Sequence, residues 1–267
     1  MTNARDLAKF AILIGLFGIL SDSMIGHALM WENDPYWTYW ITKTALITTV
    51  FALGTAWLGS GYGKGAIITL VHTIILTVYY WTFSPVGLPD EPKWLDLSHT
   101  WVTGIPIHFL VIYIGYAIAL WLWRKTHTNE NFDSADARSA ASRAVIGAVL
   151  ISVVSGILSS LLLGEFVGVT WFITRILIIF PFLLFWYGYL EGRYLAFGSL
   201  ILTLVLTGYS HYLSPLGLPG EWRLFENFMP VTIPRWLDYG ELWLRQFPSY
   251  LVSSAAGLWL LARKNFK

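Results

Sequence analysis

The feature that most constrains this chain is a series of apolar stretches, each about 20 residues long and separated by polar segments. A bilayer core of about 30 Å needs about 20 mostly apolar residues per crossing helix, and a crossing segment must satisfy its own backbone hydrogen bonds. Eight such stretches lie at approximately 8–31, 38–58, 65–84, 101–123, 144–164, 170–190, 194–213 and 243–262. The sequence therefore predicts an all-α integral membrane protein with about eight transmembrane helices.

Composition agrees with a lipid environment and excludes several classes of protein. Hydrophobic residues make up 56% of the chain and charged residues 12%, whereas a soluble domain carries roughly a quarter charged residues. No cysteine is present, which excludes disulfides and thiolate metal sites. A net charge of +1 without a basic stripe argues against nucleic-acid binding. The expected partners are the lipid bilayer, a small or lipophilic ligand and other membrane subunits.

The distribution of basic residues predicts the orientation, because short cytoplasmic loops accumulate Lys and Arg. The opposite side holds four of the 17, and two lie just inside helices 2 and 6. The remaining eleven lie at the termini and in loops 2–3, 4–5 and 6–7: Arg5, Lys9, Lys64, Arg124, Lys125, Arg138, Arg143, Arg193, Arg263, Lys264 and Lys267. The sequence therefore predicts a multi-pass protein of the cell membrane with both termini cytoplasmic.

An internal repeat is the most informative pattern in the chain. Four sequence blocks of the first half lie at 18–27, 40–43, 84–89 and 93–106, and they recur in the same order at 156–165, 172–175, 214–219 and 235–248. A unit of four crossings leaves the membrane on the side that it entered, so its duplicate keeps the same orientation. We expect two parallel four-helix repeats, 1–124 and 143–267, joined by a polar cytoplasmic linker, 125–142. A pseudo-two-fold axis along the membrane normal would relate them, with ligand sites at the repeat interface.

Two long outer loops, about 85–100 and 214–242, belong to the repeat and are rich in tryptophan. Each follows a Ser-Pro-x-Gly-Leu-Pro block, whose prolines and glycine stop a helix and turn the chain. Indole rings favour the headgroup region of a bilayer. The loops are interpreted either as interfacial segments or as a lid over a cavity between the repeats.

Ionisable residues inside the apolar stretches give the main functional signal, because each costs about 2.5 to 3.5 kcal/mol to insert unless it is satisfied. Asp22 and His72 lie deep in helices 1 and 3, and Lys43 and Arg175 occupy equivalent positions in helices 2 and 6. Lys43 and Arg175 either extend toward the membrane surface or act near the axis, by pairing with Asp22 or by receiving an anionic group. These four residues are the predicted ligand-binding set.

A second set of candidates lies at the outer helix ends. The repeat alignment matches His27 with Glu165 and His99 with Glu241. Imidazole and carboxylate are ligands for zinc, copper or iron, so the four residues form a candidate site for a divalent metal cofactor. The alternative is that they are ordinary hydrogen-bonding residues at the membrane interface.

Known catalytic motifs do not decide the function. The sequence contains no His-Glu-x-x-His helix, Gly-x-Ser-x-Gly elbow, closely spaced histidine pairs or Asp-rich pair. Three hypotheses remain. The chain binds or carries a small or lipophilic molecule at the repeat interface, opening to the outer face; it is a membrane enzyme, with or without a metal, acting on an apolar substrate near the outer leaflet; or it is an accessory or structural subunit of a larger membrane complex.

The predicted topology can be tested by cysteine labelling, since the natural chain has no cysteine. In intact cells, a cysteine at Ser134 should be protected from an impermeant thiol reagent, because the linker is expected in the cytoplasm. A cysteine at Gly220 should react, because its loop is expected outside. The reverse labelling pattern would overturn the orientation.

Overall fold

The computed structural model describes residues 2–26, 37–78, 105–127, 132, 134–163, 169–190, 193–209 and 239–262. Within these residues the chain is helical and contains no strand. The eight helices are α1 (Thr2–Ser21), which continues in a π-helical turn (Asp22–Gly26), α2 (Trp37–Leu58), α3 (Tyr62–Val78), α4 (Ile105–Thr126), α5 (Ala135–Leu163), α6 (Val169–Leu190), α7 (Leu195–Gly208) and α8 (Tyr239–Ala262). The predicted all-α class is confirmed.

Among the described residues, five helices are long and apolar enough to cross a membrane: Asn3–Ile25, Ile41–Leu58, Ile105–Thr126, Ala135–Leu161 and Phe172–Leu190. The apolar parts of the other three are shorter, at Tyr62–Thr77, Leu195–Gly208 and Phe247–Ala262. The 14 residues of α7 rise only about 21 Å, less than the hydrocarbon thickness of a bilayer. The structure therefore supports membrane association by several spans, and eight crossings stay a prediction.

Helix α5 begins at Ala135, nine residues before the predicted start at 144. The backbone N–H of Ala137 donates to the Ser134 hydroxyl at 3.2 Å, which is an N-cap bond, and Asp136 lies in the first turn. Alanines in this first part of α5 favour helix, and Ala137, Ala140 and Ala141 are buried. The predicted linker is therefore helical from Ala135 onward, because hydropathy detects apolar residues and misses a capped, alanine-rich extension.

The helices of each half pack in the same order. Helix α1 contacts α2 and α4, and α3 contacts α2 and α4. In the second half α5 contacts α6 and α8, and α7 contacts α6 and α8. The two halves meet through α1 and α2 on one side and α5 and α6 on the other. One continuous core of buried apolar side chains extends through both halves.

Helices α1 and α4 cross in close contact at Gly18 and Gly115. A Cβ atom added to Gly115 would lie 2.7 Å from the Cα of Gly18 and 2.7 Å from the carbonyl oxygen of Phe17. Small residues permit such backbone approach, which is a main source of helix association in membranes. Near the crossing, the Ser21 hydroxyl of α1 donates to the Val111 carbonyl of α4 at 2.8 Å. The crossing holds the end of α1 against the first half of α4.

Basic side chains gather at the end of the bundle where α1 begins and α2 ends. The Arg5 guanidinium lies 4.9 Å from the Tyr189 ring centre, and the Arg124 guanidinium lies 5.1 Å from that of Tyr62. The Nε of Arg138 donates to the Ala56 carbonyl at 3.3 Å. This is the end that the sequence predicts to be cytoplasmic, and its side of the membrane stays a prediction.

The Gly115 crossing can be tested with alanine. Gly115→Ala should destabilise the protein by about 1 to 3 kcal/mol, because the added methyl group meets backbone that cannot rotate away. Gly63→Ala is the matched control, since nothing lies within 4 Å of its added Cβ. Unfolding midpoints in detergent would measure both, and equal midpoints would contradict the close crossing.

Candidate functional site

The centre of the candidate site is a buried ion pair between α1 and α2. Asp22 begins the π-helical turn that ends α1, and its Oδ2 contacts the Nζ of Lys43. The two residues are 3% and 1% exposed. Single π-helical turns in α-helices are frequent at functional sites. Lys43 therefore does not extend to the membrane surface; it pairs with Asp22, one of the two roles that the sequence allowed.

His108 of α4 lies on the other side of the Asp22 carboxylate. Its Nδ1 is 3.6 Å from Oδ1 of Asp22, which is longer than a hydrogen bond. Both atoms are buried and have no hydrogen-bond partner among the described residues. The side chain of His108 is 17% exposed, so this residue forms the accessible edge of the site.

His72 of α3 completes the group. Its ring is fully buried and lies 6.0 Å, centre to centre, from the ring of Phe51. Neither ring nitrogen has a hydrogen-bond partner among the described residues, although Lys43, His108 and Asp22 all act on the ring electrostatically. We call Asp22, Lys43, His72 and His108 the polar cluster, to which each helix of the first half contributes one residue.

Arg175, the fourth predicted ligand residue, lies in the second half. Its Nη2 donates to the Tyr250 hydroxyl at 2.8 Å, and its Nη1 lies 3.5 Å from the Leu206 carbonyl oxygen. The guanidinium carbon is 5.1 Å from the Tyr250 ring centre. The repeat alignment matches Arg175 with Lys43 and Tyr250 with His108. Each half therefore has a basic residue at the first of these positions and a residue with an aromatic ring at the second. The structure thus brings three predicted ligand residues together and places the fourth elsewhere.

A polar contact connects the two halves next to these residues. The Thr42 hydroxyl of α2 and the Tyr209 hydroxyl, at the end of α7, are 3.2 Å apart and buried. The Tyr209 ring centre lies 5.9 Å from the Arg175 guanidinium carbon. Thr42, the residue before Lys43, is therefore joined through Tyr209 to the surroundings of Arg175.

Buried hydroxyl residues recur every four positions along α3 and α7. Each of Thr69, Thr73 and Thr77 donates its hydroxyl to the carbonyl four residues earlier, at 2.7 to 2.9 Å. Ser199 and Thr203 do the same at 2.7 Å. The shift that aligns 84–89 with 214–219 also aligns these two series. The sequence analysis missed them, although their spacing of four residues is readable in the sequence.

An open groove of about 380 Å³ lies between the halves. Its lining is almost entirely apolar, and it contains none of the four predicted ligand residues. The lining residues come from α1, α2 and α6: Ile12, Leu16, Ile41, Thr44, Ala45, Thr48, Ile178 and Pro181. Its volume is within the range of small-molecule sites.

The predicted metal site stays untested. His27, His99 and Glu165 lie outside the described residues, as does the side chain of Glu241. The tryptophan-rich loops and the pocket expected beneath them also lie outside. Within the part of the chain that the structure describes, no three His, Asp or Glu side chains are placed to hold a metal ion.

Comparisons of the chain with protein-family models, with curated proteins and with solved structures find no match in any of the three.

The ion pair can be tested by a double-mutant cycle. Asp22→Asn or Lys43→Met alone should cost about 3 to 5 kcal/mol of stability, because each removes one half of a buried ion pair and leaves the other charge buried. The double variant should recover most of that loss, since no net charge remains. Lys64→Met, at an exposed position, is the control. Additive losses in unfolding experiments would show that the two side chains do not interact.

Proposed function

We propose that this chain is a polytopic membrane protein that binds or carries a small molecule, with the polar cluster as the polar part of its binding site. We place the site in the first half, and not at the repeat interface, because Asp22, Lys43 and His72 meet there. The single observation that carries the proposal is the burial of Asp22, Lys43 and His72 between apolar helices, where Oδ1 of Asp22 and both ring nitrogens of His72 have no hydrogen-bond partner among the described residues.

Burying the polar cluster within a membrane costs free energy. Charged and polar side chains within membrane spans are expensive, and a buried ion pair is seldom more stable than a well-packed apolar replacement. Buried polar atoms almost always have hydrogen-bond partners, so Oδ1 of Asp22 and both nitrogens of His72 need an explanation. A ligand that contributes donors and acceptors explains both the cost and the missing partners.

The proposed architecture is a pair of parallel four-helix repeats with cytoplasmic termini. It is supported by the identical packing order of the two halves and by the matching hydroxyl series on α3 and α7. In this arrangement His108 lies toward the outer face, and the ligand reaches the polar cluster from that side. The second half supplies a related but chemically different environment around Arg175.

A second candidate site is the groove between the halves. Its apolar lining favours a lipophilic molecule, and its position corresponds to the repeat interface where we expected a ligand from the sequence. The groove suits the hydrocarbon part of a ligand but offers little to orient a polar group. We therefore give the polar cluster the main role.

A ligand screen on purified protein in lipid nanodiscs tests the proposed function. A compound that binds the native state raises its stability by about 2.7 kcal/mol at a concentration of 100 times Kd. Thermal shifts would be measured for the natural chain, for the charge-neutral Asp22→Asn/Lys43→Met variant and for Ala45→Leu, which narrows the groove. We expect the double variant to lose the shift and Ala45→Leu to retain it.

The opposite pattern would assign the ligand to the groove. An equal shift in all three proteins would place binding elsewhere and reject both sites.

A further inference from the structure

We propose that the polar cluster takes up a small monocarboxylate together with one proton, and that His108 accepts the proton. This inference rests on the proposed function and adds the chemical class of the ligand. It follows from the hydrogen-bonding capacity of the cluster, from its charge and from the different surroundings of its two histidines.

The hydrogen-bonding capacity of the cluster fits a carboxyl group. A neutral imidazole offers one N–H donor and one acceptor nitrogen, and the Lys43 ammonium offers three donors. Both nitrogens of His72, Nδ1 of His108 and Oδ1 of Asp22 have no partner among the described residues. When His108 is protonated, its Nδ1–H faces Oδ1 of Asp22, and a carboxylate brings two acceptor oxygens for the remaining imidazole N–H groups.

The charge of the cluster sets a condition on that ligand. The Lys43 ammonium and the Asp22 carboxylate cancel, so the cluster with neutral histidines has no net charge. Adding an anion to a buried site of low dielectric leaves one negative charge uncompensated, which is costly. One proton taken up with the anion restores neutrality. Imidazole is the side chain whose ordinary titration range lies near neutral pH, so a histidine is the natural acceptor.

The two histidines are not equivalent as proton acceptors. Nδ1 of His108 lies 3.6 Å from the Asp22 carboxylate, which stabilises an imidazolium, and the side chain is 17% exposed. His72 is completely buried, and the positive charge of Lys43 acts on its ring. His72 therefore stays neutral and donates an N–H to the ligand. Protonation falls on His108.

The balance of the step is simple. Before binding, the cluster holds an ammonium, a carboxylate and two neutral imidazoles. After binding, it also holds the ligand carboxylate and one imidazolium, whose added proton comes from solvent. No covalent bond is made or broken, and no oxidant or reductant is needed.

Isothermal titration calorimetry on the full chain in nanodiscs tests this inference, with acetate, lactate and benzoate as probes. Measurements at one pH in buffers of different ionisation enthalpy count the protons taken up per ligand. At pH 8 we expect close to one proton per bound probe for at least one of the three. Affinity should fall about tenfold for each further unit of pH, since a proton must be bound with the anion.

His108→Gln separates this inference from simple anion binding, because glutamine keeps a donor and an acceptor but takes up no proton. We expect this variant to bind the probe at least tenfold more weakly at pH 6, without proton uptake and with a flat pH profile. The matched control is His127→Gln, just past the opposite end of α4, where the ring stacks on Trp123. The control should retain the proton count and the pH profile of the natural chain.

Three outcomes would overturn the inference. They are binding of a probe without proton uptake, proton uptake that persists in His108→Gln, and no binding of any of the three probes by the folded natural chain. The number of protons that the natural chain takes up per bound probe tests the inference even if His108→Gln fails to fold. A neutral or cationic ligand that requires Asp22 and Lys43 would reject this inference and leave the proposed function intact. A ligand indifferent to both residues would reject the proposed function itself.

Discussion

The arrangement of the first half depends on how closely α1 and α4 approach each other. At Gly18 and Gly115 the two backbones come into contact, which a side chain at position 115 would not allow. In lipid, where apolar side chains gain little by leaving one apolar solvent for another, this kind of contact is a principal source of helix association. One turn beyond Gly18 the chain reaches Asp22, and two turns before Gly115 lies His108. The crossing therefore sets the distance between the side chains of Asp22 and His108.

The buried ion pair is a weak source of stability. Removing Lys43 and Asp22 from water costs several kcal/mol per ion, and their attraction recovers that cost only with good geometry and further hydrogen bonds. Among the described residues, Oδ1 of Asp22 and the ring nitrogens of His72 have no such further bonds. A bundle selected only for stability would fill this space with apolar side chains. Incomplete satisfaction is typical of sites that must accept and release something.

Part of this structure was predictable from the sequence, because a helix that lies in lipid must be apolar along its length. The bounds of α2 and α6 agree with the predicted stretches within one residue, since their apolar runs end where polar residues begin. The predicted start of α5 was wrong, since its first turns are stabilised by an N-cap and by the helix propensity of alanine, which hydropathy does not measure. The pairing of Asp22 with Lys43 was available from the sequence as one of two alternatives.

Other features of the site required coordinates. The role of His108 depends on which face of α4 turns toward Asp22, and a single sequence gives no such information. Membership of His72 in the same cluster depends on how α3 packs against α2 and α4. Arg175 shows the limit of the repeat alignment. It matches Lys43 in position, yet its partner Tyr250 differs from the residues around Lys43. Equivalent positions in a duplicated chain need not keep equivalent partners.

The hydroxyl series on α3 and α7 has a mechanical consequence. Because Thr69, Thr73, Thr77, Ser199 and Thr203 direct their hydroxyls to carbonyls of their own helix, their bonds travel with that helix. A hydroxyl bonded within its own helix forms no directional polar bond that would resist sliding past a neighbouring helix. A displacement of α3 along its axis therefore breaks none of these bonds, and it would carry His72 relative to Asp22 and Lys43.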